Sequence, residues 1–263
     1  MFSPFFARSE PRRAAQQYLR GLLAPVQRKN CWQMAEVVGE EDPQSLQRLL
    51  YSAQWDEDAV RDELLRFVVE RFGDEAGIGV VDETGFLKKG EKSVGVKRQY
   101  SGTAGKVENC QIGVFLTYFA QGKRTFLDRR LYLPKEWCAD EERRQEAKVP
   151  EEVDFKKKPQ LAIEMLEHAW TQGVPMMWVT GDEVYGDTPY LRDAVAEAEK
   201  LYVLAVSVHT PVWQECPDVE YPVADGGRDA LEQNPDWEKE RLPPKRWPLW
   251  PRLGRQKTGS GWL

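Results

Sequence analysis

Asp82 and Asp182 are the residues best placed to do chemistry. Each follows a short apolar run, Ile78-Gly79-Val80-Val81 or Met176-Met177-Trp178-Val179-Thr180-Gly181. Each then meets a second carboxylate, Glu83 or Glu183, and a glycine, Gly85 or Gly186. Carboxylates at the mouths of two strands suit a hard divalent cation, because Mg2+ and Mn2+ take oxygen ligands in near-octahedral geometry. Two such ions can activate the attacking oxygen and stabilise the leaving one in displacement at phosphorus. The chemistry expected is phosphoryl transfer on a nucleic acid or nucleotide, with a third acid needed for a complete two-ion site. The same residues also fit plainer roles: Asp182 as the N-cap of a following helix, Asp82 as the start of a Glu83-Thr84-Gly85 turn. Glu83 and Glu183 diverge from their neighbours and are expected to support or be solvated rather than to ligate.

The elements that must position this pair fall into three stretches. Residues 1–75 read as helical. Apolar residues recur at helical spacing over Arg12–Leu23 and Asp56–Phe72. Another helix is expected from Pro43, with Asp42 as N-cap and Pro43 at the first helical position. Short helices with tight polar connections resemble a helix-turn-helix module or a scaffold bundle. Arg12, Arg13, Arg20, Arg28 and Lys29 make DNA binding the functional alternative.

Residues 76–206 change character. Strands are expected at Gly77–Val81, Val94–Tyr100, Gln111–Phe119 and Thr125–Leu133. A helix over Pro159–Thr171 follows, then a strand at Met176–Thr180, a helix at Pro189–Lys200 and a buried strand at Leu201–Val206. Antiparallel strands followed by alternating helices and strands make a mixed sheet with flanking helices, in the order of the ribonuclease H-like fold. The fold class expected is α/β: an N-terminal all-α module, then that sheet. Residues 207–263 are rich in proline and tryptophan. From Arg241 onward they hold six basic residues and no acidic one.

Composition narrows the partners. The 263 residues carry a net charge of −6, so any nucleic-acid contact must come from local patches. One such patch lies between the two aspartates: Lys88, Lys89, Lys92, Lys97, Arg98 and Lys106 stand against the single acid Glu91. Phosphate backbones respond to a field of this kind, and the contacts position without reading sequence. Within the patch Tyr100–Gly105 is a small-residue loop; a solvated hairpin fits the stretch too. The phosphate-loop pattern GxxxxGK[ST] is absent. The four cysteines have no CxxC spacing and there are only two histidines, which argues against zinc and for free thiols. No apolar run nears the roughly 18 residues of a membrane span. A cytoplasmic, nucleoid-associated protein is expected.

Longer motifs carry a resemblance. DETGFLKKGEKSVGVKRQYSGTAGKVENCQIGVFLTY (82–118), LYLPKEW (131–137), FKKKPQLAIEML (155–166) and WVTGDEVYGD (178–187) closely resemble the DDE-superfamily transposases of a bacterial insertion-sequence family. YLRGLL (18–23), RKNCWQMAE (28–36) and YVLAV (202–206) extend the likeness over roughly residues 10–210. The resemblance implies Asp82 and Asp182 as the first two acids of a catalytic triad holding Mg2+ or Mn2+, with two ions in a complete site. It implies an end-binding N-terminal helical module and residues 88–106 beside the DNA path. It implies cleavage at terminal inverted repeats, strand transfer into target DNA, and self-association on DNA.

The family's third acid, a glutamate on a later helix, has no convincing counterpart in the 81 residues after Asp182. The family-like pattern weakens towards Trp247, and the tail beyond it resembles out-of-frame translation. The expectation is a C-terminally shortened transposase lacking its third ligand. Its rival is an inactive DNA-binding fragment that represses transposition. A phosphohydrolase with an aspartate nucleophile is more remote, because Thr84 stands where its second aspartate belongs.

Overall fold

A computed structural model describes residues 3–210. The expectations placed on residues 211–263, including the want of a third acid there, lie outside the described residues.

Four helices come first: α1 (Ser9–Leu23), α2 (Cys31–Val38), α3 (Gln44–Tyr51) and α4 (Glu57–Phe72). Side chains fix three of the starts. Asn30 accepts from the Gln33 amide at 3.0 Å to begin α2, and Asp56 accepts from the Ala59 amide at 2.8 Å to begin α4. Pro43 stands one step outside α3 rather than at its first turn, because Asp42 accepts from the Gln44 amide at 2.7 Å. α2 ends at Gly39, whose φ of 77° is left-handed. α1 to α3 enclose a small core of Met34, Ala35 and Leu46, flanked by Tyr18, Val26 and Cys31. Gly21 lets α1 and α2 approach closely: a Cβ there would lie 2.7 Å from that of Met34.

The sheet follows. Its antiparallel part is β1 (Gly77–Leu87), β2 (Lys97–Ser101), β3 (Lys106–Ala120) and β4 (Lys123–Leu131). Then come α5 (Lys135–Ala139), α6 (Glu141–Glu146), α7 (Lys158–Thr171), β5 (Met176–Gly181), α8 (Glu183–Gly186), α9 (Pro189–Glu197) and β6 (Leu201–Leu204). The strand order is β2-β3-β1-β5-β6, with β4 also on β3. β3 is antiparallel to β1, β2 and β4, whereas β1, β5 and β6 are mutually parallel. Four strands paired antiparallel, then helices, a parallel strand, helices and a last parallel strand make the expected ribonuclease H-like α/β arrangement.

Several bounds differ from those read in the sequence. β1 does not stop at Val81 but runs to Leu87, held by β3 as far as the Leu87–Cys110 pair. β2 begins at Lys97 rather than Val94, because Gly95 turns the chain with φ of 76°. β6 is an edge strand among the described residues, not a buried one: Leu201 and Val203 are exposed and only Tyr202 and Leu204 face the core. α9 ends before Glu199, a residue with φ of 57°. The Tyr100–Gly105 loop is the tight turn joining β2 to β3, with amides of Ala104 and Gly105 both reaching the Ser101 carbonyl.

The main core joins Val81 of β1, Val114, Leu116 and Tyr118 of β3 and Val179 of β5 to Leu161, Met165 and Leu166 of α7. α4 shares it through Leu65 and Val68. Each such side chain contributes about 1.5–3 kcal/mol by leaving water. An ion pair and a hydrogen bond tie α4 further: Arg61 reaches the buried Asp128 of β4, and Asp62 meets the His168 ring of α7 at 2.8 Å. A third cluster sits under β2, where Trp137 of α5 packs with Val96 and Leu133 and donates to the Val96 carbonyl at 2.8 Å. No described helix is long and apolar enough to cross a membrane.

Candidate active site

The site follows from strand register. β1 and β5 pair in parallel as far as Val81 and Gly181. Asp82 and Asp182 are the next residues along the chain, Asp82 still within β1 and Asp182 just past the end of β5. Asp82 is therefore not at a strand end, as read from the sequence, but at the point where β1 loses β5 and keeps only β3, opposite Phe115. Paired strands lie about 4.8 Å apart, so consecutive register positions bring the two carboxylates to one mouth. Ligands of open sheets bind in this crevice beyond the carboxyl ends of parallel strands. Both aspartates are exposed there.

Local hydrogen bonds orient each. Asp82 Oδ1 accepts from the Glu83 amide at 2.7 Å. Asp182 caps α8, accepting from the Val184 amide at 2.9 Å. The capping role read for Asp182 is thus present, and it leaves the other carboxylate oxygen available. The Asp182 carboxyl titrates above its ordinary value. Partial burial is the foremost cause; the Val184 amide opposes the rise, and the charges of Glu83, Asp82 and Glu183 add to it. The mouth is an accumulation of negative charge that a cation would relieve.

Glu83 points the other way, since neighbouring residues of a strand face opposite sides. Its Oε1 accepts from Lys158 Nζ of α7 at 2.5 Å, and its Oε2 accepts from the Tyr185 hydroxyl of α8 at 2.8 Å. Tyr185 is buried and its hydroxyl is held protonated, by burial first and then by the Glu83 charge and hydrogen bond. Sequence reasoning did not single out Lys158 and Tyr185 as site residues. The signals were present in the lysine run that starts α7 and in the tyrosine three residues after Asp182. Glu183 lies exposed on the first turn of α8.

Two oxygen-donor carboxylates on adjacent strands fit Mg2+ or Mn2+, whose remaining positions are filled by water and phosphate oxygens. Among the described residues no group of three or more His, Cys, Asp or Glu side chains is arranged to hold a metal. Glu83 is engaged elsewhere, so the donor set amounts to a pair.

The basic residues are spread over two regions. Arg12, Arg13 and Arg20 lie on α1, with Arg28 and Lys29 in the turn to α2, all exposed. Arg13 pairs with Glu40 and Lys29 reaches the Ala24 carbonyl. In the second region Lys88 and Lys89 follow β1 directly, and Arg98 is exposed on β2. Lys92, Lys97 and Lys106 pair with Glu146, Glu136 and Glu108. The local excess of positive charge read from the sequence is partly offset by acids brought in from α5, α6 and β3. Cys31, Cys110 and Cys138 are free thiols; Cys216 lies outside the described residues.

A family model for DDE superfamily endonucleases matches residues 1–255, beyond Trp247, where the recognised motifs fade. A probable transposase for insertion sequence element IS701 from Microchaete diplosiphon is 27% identical over 168 residues, which cover 64% of this chain and 41% of that protein. The chain thus matches about two fifths of the length of that relative. Among solved structures, the Mos1 strand transfer complex is 13% identical over 73% of this chain and 58% of that one, with a TM-score of 0.26. The Mos1 mariner paired end complex with Mn is 14% identical over 72% and 57%, with the same TM-score of 0.26.

Proposed function

The chain belongs to the DDE superfamily endonucleases, and on that premise we propose that it is an insertion-sequence transposase that cleaves and transfers DNA strands at element ends. The observation that carries this reading is the register of Asp82 and Asp182, consecutive with the last paired residues of two parallel strands. These two carboxylates would hold the divalent cation, Mg2+ or Mn2+. When bound, such a cation supplies Lewis-acid chemistry at the scissile phosphate.

The chain's own residues do the rest. The Val184 amide orients Asp182, and the β3 ladder orients Asp82. Lys88, Lys89, Lys92, Lys97, Arg98 and Lys106 line the approach from β1 and β2 and contact DNA phosphates. The N-terminal helices, residues 1–75, form the end-binding module. Arg12, Arg13, Arg20, Arg28 and Lys29 present its charge, and α4 fixes it to the sheet. Self-association on DNA joins two element ends.

The test is strand cleavage of terminal inverted-repeat DNA by the purified chain in Mg2+ or Mn2+. Cleavage that disappears in Asp82→Asn and in Asp182→Asn is the expected result. Cleavage that survives both substitutions overturns the reading. A second reading is favoured by the two-carboxylate donor set among the described residues: a DNA-binding protein that occupies element ends without cutting them. A mobility shift on the same DNA with no product in either metal is its signature.

A further inference from the structure

We infer that the Lys158–Glu83–Tyr185 bridge is the device that fixes the separation of Asp82 and Asp182, with Glu83 and Tyr185 as positioning residues and Lys158 as their counter-charge. This rests on the reading of the two aspartates as the metal-holding pair. The path between them is short. Asp82 is bonded to Glu83, the Glu83 carboxylate accepts from the Tyr185 hydroxyl at 2.8 Å, and Tyr185 lies one turn of α8 from Asp182. The β1–β5 ladder ends one residue earlier on both strands. Beyond that point, this hydrogen bond ties the strand carrying Asp82 to the turn carrying Asp182.

Its surroundings favour a rigid link. Tyr185 is fully buried, and α8 is pressed onto the chain after β6: a Cβ on Gly186 would fall 1.7 Å from the Ala205 carbonyl oxygen. Lys158 is about three-quarters buried at the first residue of α7, whose following turn is fixed by Pro159 and by Gln160 accepting from the Lys157 amide at 2.7 Å. Lys158 sets its ammonium on Glu83 Oε1, the oxygen that Tyr185 leaves free, and so supplies the counter-charge of the bridge. The bridge also keeps Glu83 out of the donor set, since both its oxygens are used.

The experiment is Mn2+ titration of the purified chain by calorimetry and by electron paramagnetic resonance, in wild type and in Tyr185→Phe, Lys158→Met and Lys158→Arg. Removing a hydrogen-bond partner that orients a ligand commonly lowers metal affinity by about 10–100-fold. That loss is expected for Tyr185→Phe and Lys158→Met, with most of the affinity recovered in Lys158→Arg. Thermal unfolding in EDTA separates positioning from general damage. If Tyr185→Phe is unstable, the Lys158 pair decides. Wild-type Mn2+ affinity retained in Tyr185→Phe and Lys158→Met overturns the bridge. A wild-type chain that binds no Mn2+, or binds it undiminished in Asp82→Asn, overturns the metal reading instead.

Discussion

The helices over residues 9–51 and the sheet over residues 77–204 are built to different standards. The sheet joins four strands and four helices in one buried cluster, tied further by Arg61 and Asp62 of α4. The α1–α3 unit has three fully buried apolar side chains and leaves Leu23, Trp32 and Tyr51 largely exposed at 87%, 64% and 75%. Precision is needed in one region more than in the other. Carboxylates must be held to fractions of an ångström to share an ion, whereas phosphate contacts by long cationic side chains tolerate movement. The well-packed part carries the aspartates, and the lightly packed part carries arginines.

The two regions should separate most widely in substitutions that touch the aspartates. Asp82→Asn or Asp182→Asn is expected to reduce metal-dependent strand cleavage by about a thousandfold or more, the scale of losing a principal electrostatic stabiliser. Mobility shifts with end DNA should be unchanged. The converse set, Arg20→Ala with Arg28→Ala, should weaken the shift and flatten its salt dependence by about one unit for each phosphate left without its cation.

Packing gives the next effect. Leu116→Ala empties part of the sheet core and should cost about 2–5 kcal/mol in denaturant unfolding. Met34→Ala removes a comparable group from α2, but its cost should appear as local opening. Hydrogen exchange would then speed up in α1–α3 while β1, β3 and β5 stay protected. Equal acceleration in both regions would show that the two unfold as one.

How much of this was legible in the sequence differs between the same regions. Strand β5 was readable because Pro175 and Gly181 bound a run of apolar residues. The second half of β1 was not: Asp82, Glu83 and Thr84 look like a turn, and only pairing with β3 keeps them extended. The aspartates were found by motif and by their place after strands. The Glu83–Tyr185 bond spans 102 positions and the Glu83–Lys158 bond spans 75, so no local pattern announces either. α5 and α6 are five and six residues long, too short to show a period. The acids that offset Lys92 and Lys97 lie on them, which is why the positive patch looked stronger in the sequence than in the fold.

A smaller effect concerns helix starts. Asp56→Ala should cost about 1 kcal/mol, by leaving the Ala59 amide without its cap, and Asn30→Ala a similar amount at α2. Only the first should lower the main thermal transition, since α4 belongs to the sheet core.

The smallest expected effect is one of pH. Asp182 titrates higher in the folded chain than its ordinary value, with burial the foremost cause. The folded state therefore binds more protons than the unfolded one in that range. Metal-free stability falls as pH rises from the unfolded value through the raised folded one, and is then constant. Asp182→Asn, which keeps a capping oxygen, should remove this slope in melts followed in EDTA between acid and neutral pH. A slope unchanged in the variant would place its origin in another group.

The parallel pairing of β1 with β5 has a consequence for how the molecule comes into being. β1, β3 and β4 find each other across turns and short excursions, but β1 and β5 meet only after a loop of roughly 100 residues has closed, at an entropic cost that a short hairpin does not carry. Non-local pairings of this kind are slow to form. During synthesis Asp82 leaves the ribosome long before its partner exists, on a strand that already has β3 on one side. Chain order therefore sets when Asp82 and Asp182 meet: the two are brought together only when the far half of the sheet has docked.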